Sequence, residues 1–194
     1  MTIDIAVLFS GGGRTVLNLL NQIEAGNLDA NISLAIASKD GLLGIDRLTE
    51  RGLDVAIARR VDEPYELGDM RTIAWLDDVR PSLICLCGYL RLLNIQPWME
   101  GRVLNIHPAL LPKHGGKGMF GLHVHESVIN SGDSQSGCTV HFVDEQYDHG
   151  ETIVQRTCNI VAGETPQSLA DKVFQLECTA YVEAINKVAC KLKV

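Results

Sequence analysis

The chain has 194 residues and a formal net charge of −7, with 46% apolar and 21% charged residues, which is the composition of an ordinary globular protein. The negative charge argues against a broad nucleic-acid surface, because such a surface needs clustered lysine and arginine to displace counterions from phosphates. No apolar run is long enough to span a membrane and no leader precedes the first predicted strand, so we expect a cytoplasmic protein whose partners are neither nucleic acid nor membrane.

The first half of the chain alternates short apolar runs with amphipathic segments, a pattern typical of parallel strands joined by crossover helices. Predicted strands lie at 3–9, 31–37, 54–58 and 83–87. The helices between them end at Gly26, at Gly52 and before Pro81, and Pro64 suits the start of the third helix. This half therefore predicts an α/β fold with a mostly parallel sheet.

Past residue 100 the pattern becomes less regular, and we expect the chemistry in this half. The predicted strands lie at 102–106, 138–143 and 152–159, with a long glycine-rich connector after the first of them. A final helix begins at Thr165 and Pro166. We expect the whole chain, 1–194, to form a single domain with a Rossmann-like, mostly parallel twisted sheet flanked by helices.

A glycine turn follows the first strand directly and leads into a helix. This arrangement presents backbone N–H groups and the positive end of a helix dipole at one point, which suits an anionic group such as a phosphate. A dinucleotide fingerprint is incomplete, because Val16 occupies its third glycine position, and the lysine of a P-loop is absent. A single phosphate is therefore predicted, and a tight turn without a ligand is the alternative. The residues predicted to bind it are Gly11, Gly12, Gly13, Arg14 and Thr15.

A polar pair lies at the end of the strand 102–106, where open α/β sheets bind their ligands. Asn105 and His107 are two residues apart and project from the same face, and Pro108 ends the strand. Asp148, in the loop 144–150, is the carboxylate best placed to orient and charge the imidazole. We expect an imidazolium and an amide that stabilise a developing oxyanion, with no covalent nucleophile. Purely structural roles for the pair are the alternative.

Four segments carry a family resemblance that covers nearly the whole chain. The segment LNIHPALLP at 104–112 closely resembles the signature of the folate-dependent formyltransferases. SGGG at 10–13 lies where that family has its phosphate turn, and GYLRLL at 88–93 resembles its folate loop. TVHFV at 139–143 precedes the loop that holds the family's essential aspartate.

The resemblance implies that 10-formyltetrahydrofolate is the formyl donor, as a co-substrate, and that no metal takes part. The sequence is most similar to the family branch that formylates glycinamide ribonucleotide in purine synthesis. Relatives that act on initiator tRNA or hydrolyse formyl-folate carry an additional domain, for which this chain has no room. The resemblance assigns 1–100 to nucleotide-phosphate binding and 101–194 to catalysis and folate binding. The alternatives are formylation of an amino sugar carried on a nucleotide diphosphate, and a nucleotide-binding module without catalysis.

The family mechanism, carried onto this sequence, has the substrate amine attacking the formyl carbon. Asn105 and His107 would then stabilise the oxyanion, and Asp148 would support His107 and proton transfer. Glu177, which borders the apolar face of the final helix, would bind the ribose hydroxyls, although a buried ion pair is an equal explanation. A structural role, as a cap or an ion-pair partner, is also open for Arg91. By resemblance, the folate-binding residues are Leu90, Arg91, Leu92, Leu93, Asn105, Val143 and Asp144.

Further features bear on the site. The connector 113–121 is longer than in shorter relatives, and its glycines suit a mobile lid. His114, His123 and His125 suggest a metal, with the last two on one face of an extended segment, but no cysteine or carboxylate at ligand spacing completes the set. His141 is expected in the core or in the wall of the site. The six scattered cysteines are expected to be reduced and mostly buried, and a homodimer is left open.

Overall fold

The structure is a computed structural model that describes residues 2–192. Strands and helices alternate through the first half, as predicted, and the last element is a long helix. The elements are β1 (Ile3–Phe9), α1 (Arg14–Glu24), β2 (Ala30–Ala37), α2 (Leu43–Thr49), β3 (Val55–Ile57), α3 (Tyr65–Val79), β4 (Leu83–Leu86), β5 (Val103–His107), α4 (Leu122–Asn130), β6 (Gln135–Phe142), β7 (Thr152–Asn159) and α5 (Pro166–Leu192). Within the described residues, no helix has the length and apolar character needed to cross a membrane.

The strands of the described chain form one seven-stranded sheet in the order β3-β2-β1-β4-β5-β6-β7. The first five in this order are parallel, whereas β6 and β7 pair antiparallel at one edge. The predicted α/β fold with a mostly parallel sheet is therefore confirmed. The antiparallel pairing of β5 with β6 places Asn105 opposite His141 and His107 opposite Thr139, which brings two polar strand ends together.

Helices cover both faces of the sheet and bury two apolar layers. One face packs against α1, α2, α4 and α5, and its buried residues include Val16, Leu48 and Val128. The other face packs against α3, through Leu76 among others. The cysteines are free thiols, as predicted: Cys85, Cys87 and Cys138 are buried, Cys158 and Cys178 are half-buried, and Cys190 is exposed.

The long helix α5 is tied to both the sheet and α1. The hydroxyl of Tyr181 lies 3.0 Å from the carbonyl oxygens of both Leu86 and Leu104, at the centre of the sheet. The side-chain amide of Asn18, in α1, donates to the carbonyl oxygen of Cys178 at 3.0 Å, across 160 positions of sequence. Because these contacts join distant segments, the position of α5 depends on the completed sheet.

The helix α4 differs from the sequence prediction, in which the segment after the glycine-rich connector contains no helix. Val124 and Val128 are four residues apart and both are buried, so one face of the helix packs against the core. His125 is buried on this helix, whereas His123 is exposed and forms an ion pair with Glu126 at 3.2 Å. The expectation that His123 and His125 share one face of an extended segment is therefore wrong.

Candidate active site

A cavity of about 730 Å³ lies where the carboxyl ends of β1, β4 and β5 meet α5. Its wall includes the glycine turn after β1, the segment after β4 and the end of β5. Open α/β sheets bind ligands at such a position, because the loops that follow neighbouring parallel strands converge there. The predicted phosphate, folate and catalytic segments therefore share one cavity.

The three residues predicted to be catalytic converge in this cavity. The Nδ1 atom of His107 lies 3.4 Å from Oδ2 of Asp148, and Nδ2 of Asn105 donates to Oδ1 of Asp148 at 3.2 Å. The side chains of His107 and Asp148 are 4% and 9% exposed, so their interaction is little screened by water. The structure thus joins two groups from a strand end to one from a distant loop.

The two ring nitrogens of His107 have different surroundings. Its Nε2–H donates to the carbonyl oxygen of His114 at 2.8 Å, which leaves Nδ1 as the nitrogen that faces Asp148. Burial lowers the pKa of His107, and the charge of Asp148 and the His114 carbonyl oppose this shift without cancelling it. The imidazolium expected from the sequence is therefore not the favoured form in the free protein.

Asp148 is held in an unusual backbone conformation by the connector. It has a φ of 54°, in the left-handed region, and its Oδ2 accepts the N–H of Gly116 at 2.9 Å. Burial acts to raise the pKa of this carboxyl, but His141, His107 and the Gly116 N–H together hold it below its usual value. A Cβ at Gly115 would lie 2.5 Å from a methyl group of Leu111 and 3.1 Å from Cβ of Asp148, so the connector passes too close for a larger residue.

His141 belongs to the same network, beyond its predicted place in the core or the wall. Its Nδ1–H donates to the carbonyl oxygen of Phe142 at 2.7 Å, so its Nε2 is free to accept from Nδ2 of Asn105 at 3.1 Å. The same Nε2 lies 3.7 Å from Oδ1 of Asp148. Only the register of β5 against β6 reveals this contact, and the sequence alone does not supply that register.

The glycine turn has the geometry of an anion site. Gly13 has a φ of 70°, which L side chains rarely adopt, and α1 begins at the next residue without a side-chain cap on its first turn. The guanidinium carbon of Arg14 lies 3.7 Å from the ring centroid of Phe174, and its Nη1 lies 3.8 Å from Oδ1 of Asp171. The start of α1 therefore carries both uncapped backbone donors and an arginine positioned by α5.

Glu177 lines the same end of the cavity and makes neither a hydrogen bond nor an ion pair with any residue in 2–192. Burial raises its pKa to about 7, and the positive charge of Arg14 opposes the rise. The ion-pair explanation from the sequence thus has no partner in direct contact. A half-buried carboxylate that faces a cavity without a partner is suited to accept hydrogen bonds from a ligand.

The predicted folate residues divide into two groups. Leu90 to Leu93 and Val143 line the cavity, and the hydroxyl of Ser10 accepts the Leu90 N–H at 2.9 Å, which ties this segment to the glycine turn. The structural alternative holds in part for Arg91, because it pairs with Asp69 of α3. Asp144 is absent from the described cavity lining, because its carboxylate accepts the Gln146 N–H at 2.8 Å and pairs with His149 at 2.7 Å.

The histidines considered for a metal are separated. His114 contacts Asp133 and Ser127, outside the cavity, whereas His125 lines the cavity and its Nδ1 has no hydrogen-bond partner. Burial lowers the pKa of His125 to about 4, and the nearby charges of Arg14 and His107 act in the same direction. Among the described residues, no group of three or more histidine, cysteine or acidic side chains is arranged to hold a metal ion.

Comparison with known proteins identifies a formyl transferase family. A family model described as formyl transferase matches residues 3–185. The phosphoribosylglycinamide formyltransferase of Arabidopsis thaliana chloroplasts is 33% identical over 188 residues, which cover 95% of this chain and 64% of that protein. The human trifunctional purine biosynthetic protein adenosine-3 is 31% identical, and the match covers 95% of this chain and 18% of that protein.

A solved structure supports the same relationship. The phosphoribosylglycinamide formyltransferase from Brucella melitensis superimposes with a TM-score of 0.85 at 33% identity, and the match covers 97% of this chain and 96% of that one. This similarity includes the seven-stranded mixed sheet and its flanking helices. The chain therefore spans less than two thirds of the plant relative but nearly all of the bacterial one.

Proposed function

The chain belongs to the formyl transferase family, and from this premise we propose that it transfers the formyl group of 10-formyltetrahydrofolate to the amine of glycinamide ribonucleotide, in purine biosynthesis. The observation that carries the proposal is the convergence of Asn105, His107 and Asp148 in a cavity that also holds the glycine turn and Glu177. A binding module without catalysis would not need three polar groups directed at one point.

The reaction begins when the substrate amine attacks the formyl carbon and the carbonyl electrons move onto the formyl oxygen. Asn105 stabilises that oxygen by exchanging its contact with His141 for one with the developing oxyanion. Its two N–H groups are held by His141 and Asp148 in the free protein, so the donor is already oriented. One such donor lowers the barrier by roughly 3 kcal/mol.

His107 and Asp148 carry the proton. Because burial lowers the pKa of His107, its Nδ1 holds a lone pair in the free protein and can accept the proton that the attacking amine releases. The resulting imidazolium is stabilised by the Asp148 carboxylate that faces its Nδ1, and its positive charge stabilises the nearby oxyanion. When the intermediate collapses, the proton passes to the departing folate nitrogen, so the reaction neither consumes nor releases one.

The two substrates occupy opposite parts of the cavity. The phosphate of the ribonucleotide accepts from the start of α1 and from Arg14, and Glu177 accepts from the ribose hydroxyls. The pterin end of the folate lies against Leu90 to Leu93 and Val143. We also propose that Asp144 reaches this end through its backbone, since its side chain is engaged within the loop. The connector 113–121, of which 116–121 line the cavity, covers both substrates as a lid.

The test is direct incubation of the protein with 10-formyltetrahydrofolate and glycinamide ribonucleotide, with the deformylated folate followed spectroscopically. Nucleotide-linked amino sugars are the competing acceptors, and the Asn105→Ala variant is the control for enzyme-dependent transfer. We expect transfer to the ribonucleotide alone. Transfer to the amino sugar, or none to either acceptor by the folded protein, would contradict the proposal.

Location, assembly and the absence of a metal stay predictions from the sequence. The plant relative is a chloroplast protein by name, so membership of the family does not by itself determine the compartment. Assay with and without a chelator tests the prediction of metal independence. Sedimentation of the pure protein distinguishes a monomer from the homodimer that the sequence leaves open.

A further inference from the structure

We propose that His114 and Asp133 are positioning residues for His107: together they hold the backbone carbonyl to which the Nε2–H of His107 is anchored. Neither side chain lines the main cavity, so neither touches a substrate there. The inference rests on the proposed function where it concerns turnover, and on contacts between residues where it concerns the orientation of His107.

The anchoring carbonyl belongs to a residue in a strained conformation. His114 has a φ of 56°, in the left-handed region that is unfavourable for a residue other than glycine. In that conformation its carbonyl oxygen lies 2.8 Å from Nε2 of His107. A left-handed residue persists only where its surroundings hold it, so its other contacts decide whether the anchor stays in place.

Those contacts come from the side chain of His114, and both of its ring nitrogens are used. Its Nδ1 lies 2.8 Å from Oγ of Ser127 in α4, and its Nε2 lies 2.9 Å from Oδ2 of Asp133 in the turn before β6. Asp133 also accepts from Lys113 at 2.9 Å, and these partners lower the pKa of its carboxyl to about 2. The imidazole of His114 is therefore fixed to the unit formed by α4 and β6.

Because the His114 carbonyl is held in place, it determines which ring nitrogen of His107 can accept a proton in the reaction. With Nε2–H held by the carbonyl, Nδ1 is directed toward Asp148, where a proton must be accepted. If the ring rotated, the nitrogen that carries the hydrogen would face the carboxylate side instead. Two residues later, the Gly116 N–H holds Asp148, so one short turn positions both members of the pair.

We expect Asp133→Ala and His114→Phe to lower kcat by roughly tenfold to a hundredfold, because a misplacement of about 1 Å in a catalytic group has an effect of that size. The KM of each substrate should stay within about twofold, since the cavity wall is unchanged. His123 and Glu126 provide matched controls: they form an exposed pair on the same segment with no link to His107. We expect His123→Phe and Glu126→Ala to keep wild-type kcat.

The second measurement is independent of turnover. In ¹⁵N NMR of the imidazoles, we expect neutral His107 to carry its proton on Nε2 in the wild-type protein and to populate both tautomers in Asp133→Ala. Asp133→Asn, which keeps an oxygen acceptor for His114, should restore the single tautomer and most of the kcat. This variant shows whether a low kcat in Asp133→Ala comes from the lost hydrogen bond or from poor folding. A wild-type tautomer together with wild-type kcat in folded Asp133→Ala and His114→Phe would overturn the proposal. If the wild-type protein transferred no formyl group, the proposed function would fail, and the tautomer measurement would still test the anchor.

Discussion

The two ends of the cavity differ in how their polar groups are satisfied. At the end of β5, Asn105, His107 and Asp148 already hydrogen-bond to protein partners before any substrate arrives. At the start of α1 the first helical turn has no side-chain cap, and Glu177 has no partner among the described residues. The polar groups at the β5 end have hydrogen-bond partners without a ligand, whereas those at the α1 end obtain such partners only from a ligand or water.

This difference indicates where specificity and rate originate. Groups already oriented by protein partners need little reorganisation when charge develops, so in the proposed reaction the β5 end would serve the transition state. Groups without partners lose little when they exchange water for a ligand, so in the proposed reaction the α1 end would serve ground-state binding of the nucleotide. Mutations at the two ends should therefore separate kcat from KM.

The largest expected effect is at the β5 end. His107→Ala and Asp148→Asn should lower kcat by on the order of a hundredfold or more, because each removes a group that acts in the transition state. The KM of the ribonucleotide should change by no more than about twofold. Steady-state kinetics and a thermal melt of each variant check this. A rise in KM at normal kcat would contradict the assignment of the β5 end to the transition state.

The next effect is at the α1 end. Arg14→Ala should raise the KM of the ribonucleotide by roughly tenfold while kcat changes little, because a charge-assisted hydrogen bond to the phosphate is lost. Arg51→Ala is the matched control, since Arg51 pairs with Glu24 outside the cavity. Kinetics with each substrate varied separately measure the effect. An equal rise in the KM of the folate would place Arg14 in a different role.

A smaller effect concerns Glu177 and pH. As the pH falls through about 7, this carboxylate becomes protonated and accepts hydrogen bonds less well. The KM of the ribonucleotide should therefore rise severalfold between pH 8 and pH 6 in the wild-type protein. The Glu177→Gln variant should retain only the part of this change that arises from the phosphate itself. Identical pH profiles for the two proteins would remove Glu177 from the ribose site.

The smallest effect is on stability. Because the pKa of Glu177 is raised on folding, its contribution is fully present below about 4.5 and is lost as the pH rises through about 7. Between pH 5 and pH 8 the wild-type protein should lose on the order of 2 kcal/mol from this group, or several degrees in Tm, and Glu177→Gln should lose less. The control is Glu183→Gln, which removes ion pairs to Arg156 and Lys187. This variant should not be more stable than the wild-type protein at pH 8.

Most of the sheet could be predicted from the sequence because its parallel strands are apolar and bounded by glycine or proline. The helix α4 could not, because Leu122, Val124 and their histidine neighbours alternate as in a strand. Its helical form depends on packing of Val124 and Val128 against the core. In this segment the local sequence pattern favours a strand, but packing against the core favours a helix, and the packing determines the structure.

The convergence of the three catalytic candidates could be predicted because two of them share a strand end and the third follows a family pattern. The positioning contacts could not be predicted in the same way. The left-handed conformations of His114 and Asp148 depend on partners that are distant in sequence. Likewise, the contact between His141 and Asn105 depends on strand register, and the net pKa shift of His107 on how deeply it is buried.

The link between α1 and α5 has a thermodynamic consequence. Arg14 and Glu177 lie near opposite ends of the chain, next to the hydrogen bond from Asn18 to Cys178. A ribonucleotide that engages both residues acts as a non-covalent staple, and at a hundred times its Kd it should add about 2.7 kcal/mol to the free energy of unfolding. Amide hydrogens of the two helices should then exchange more slowly and in concert, so that protection of α5 reports on a ligand whose phosphate is bound at α1.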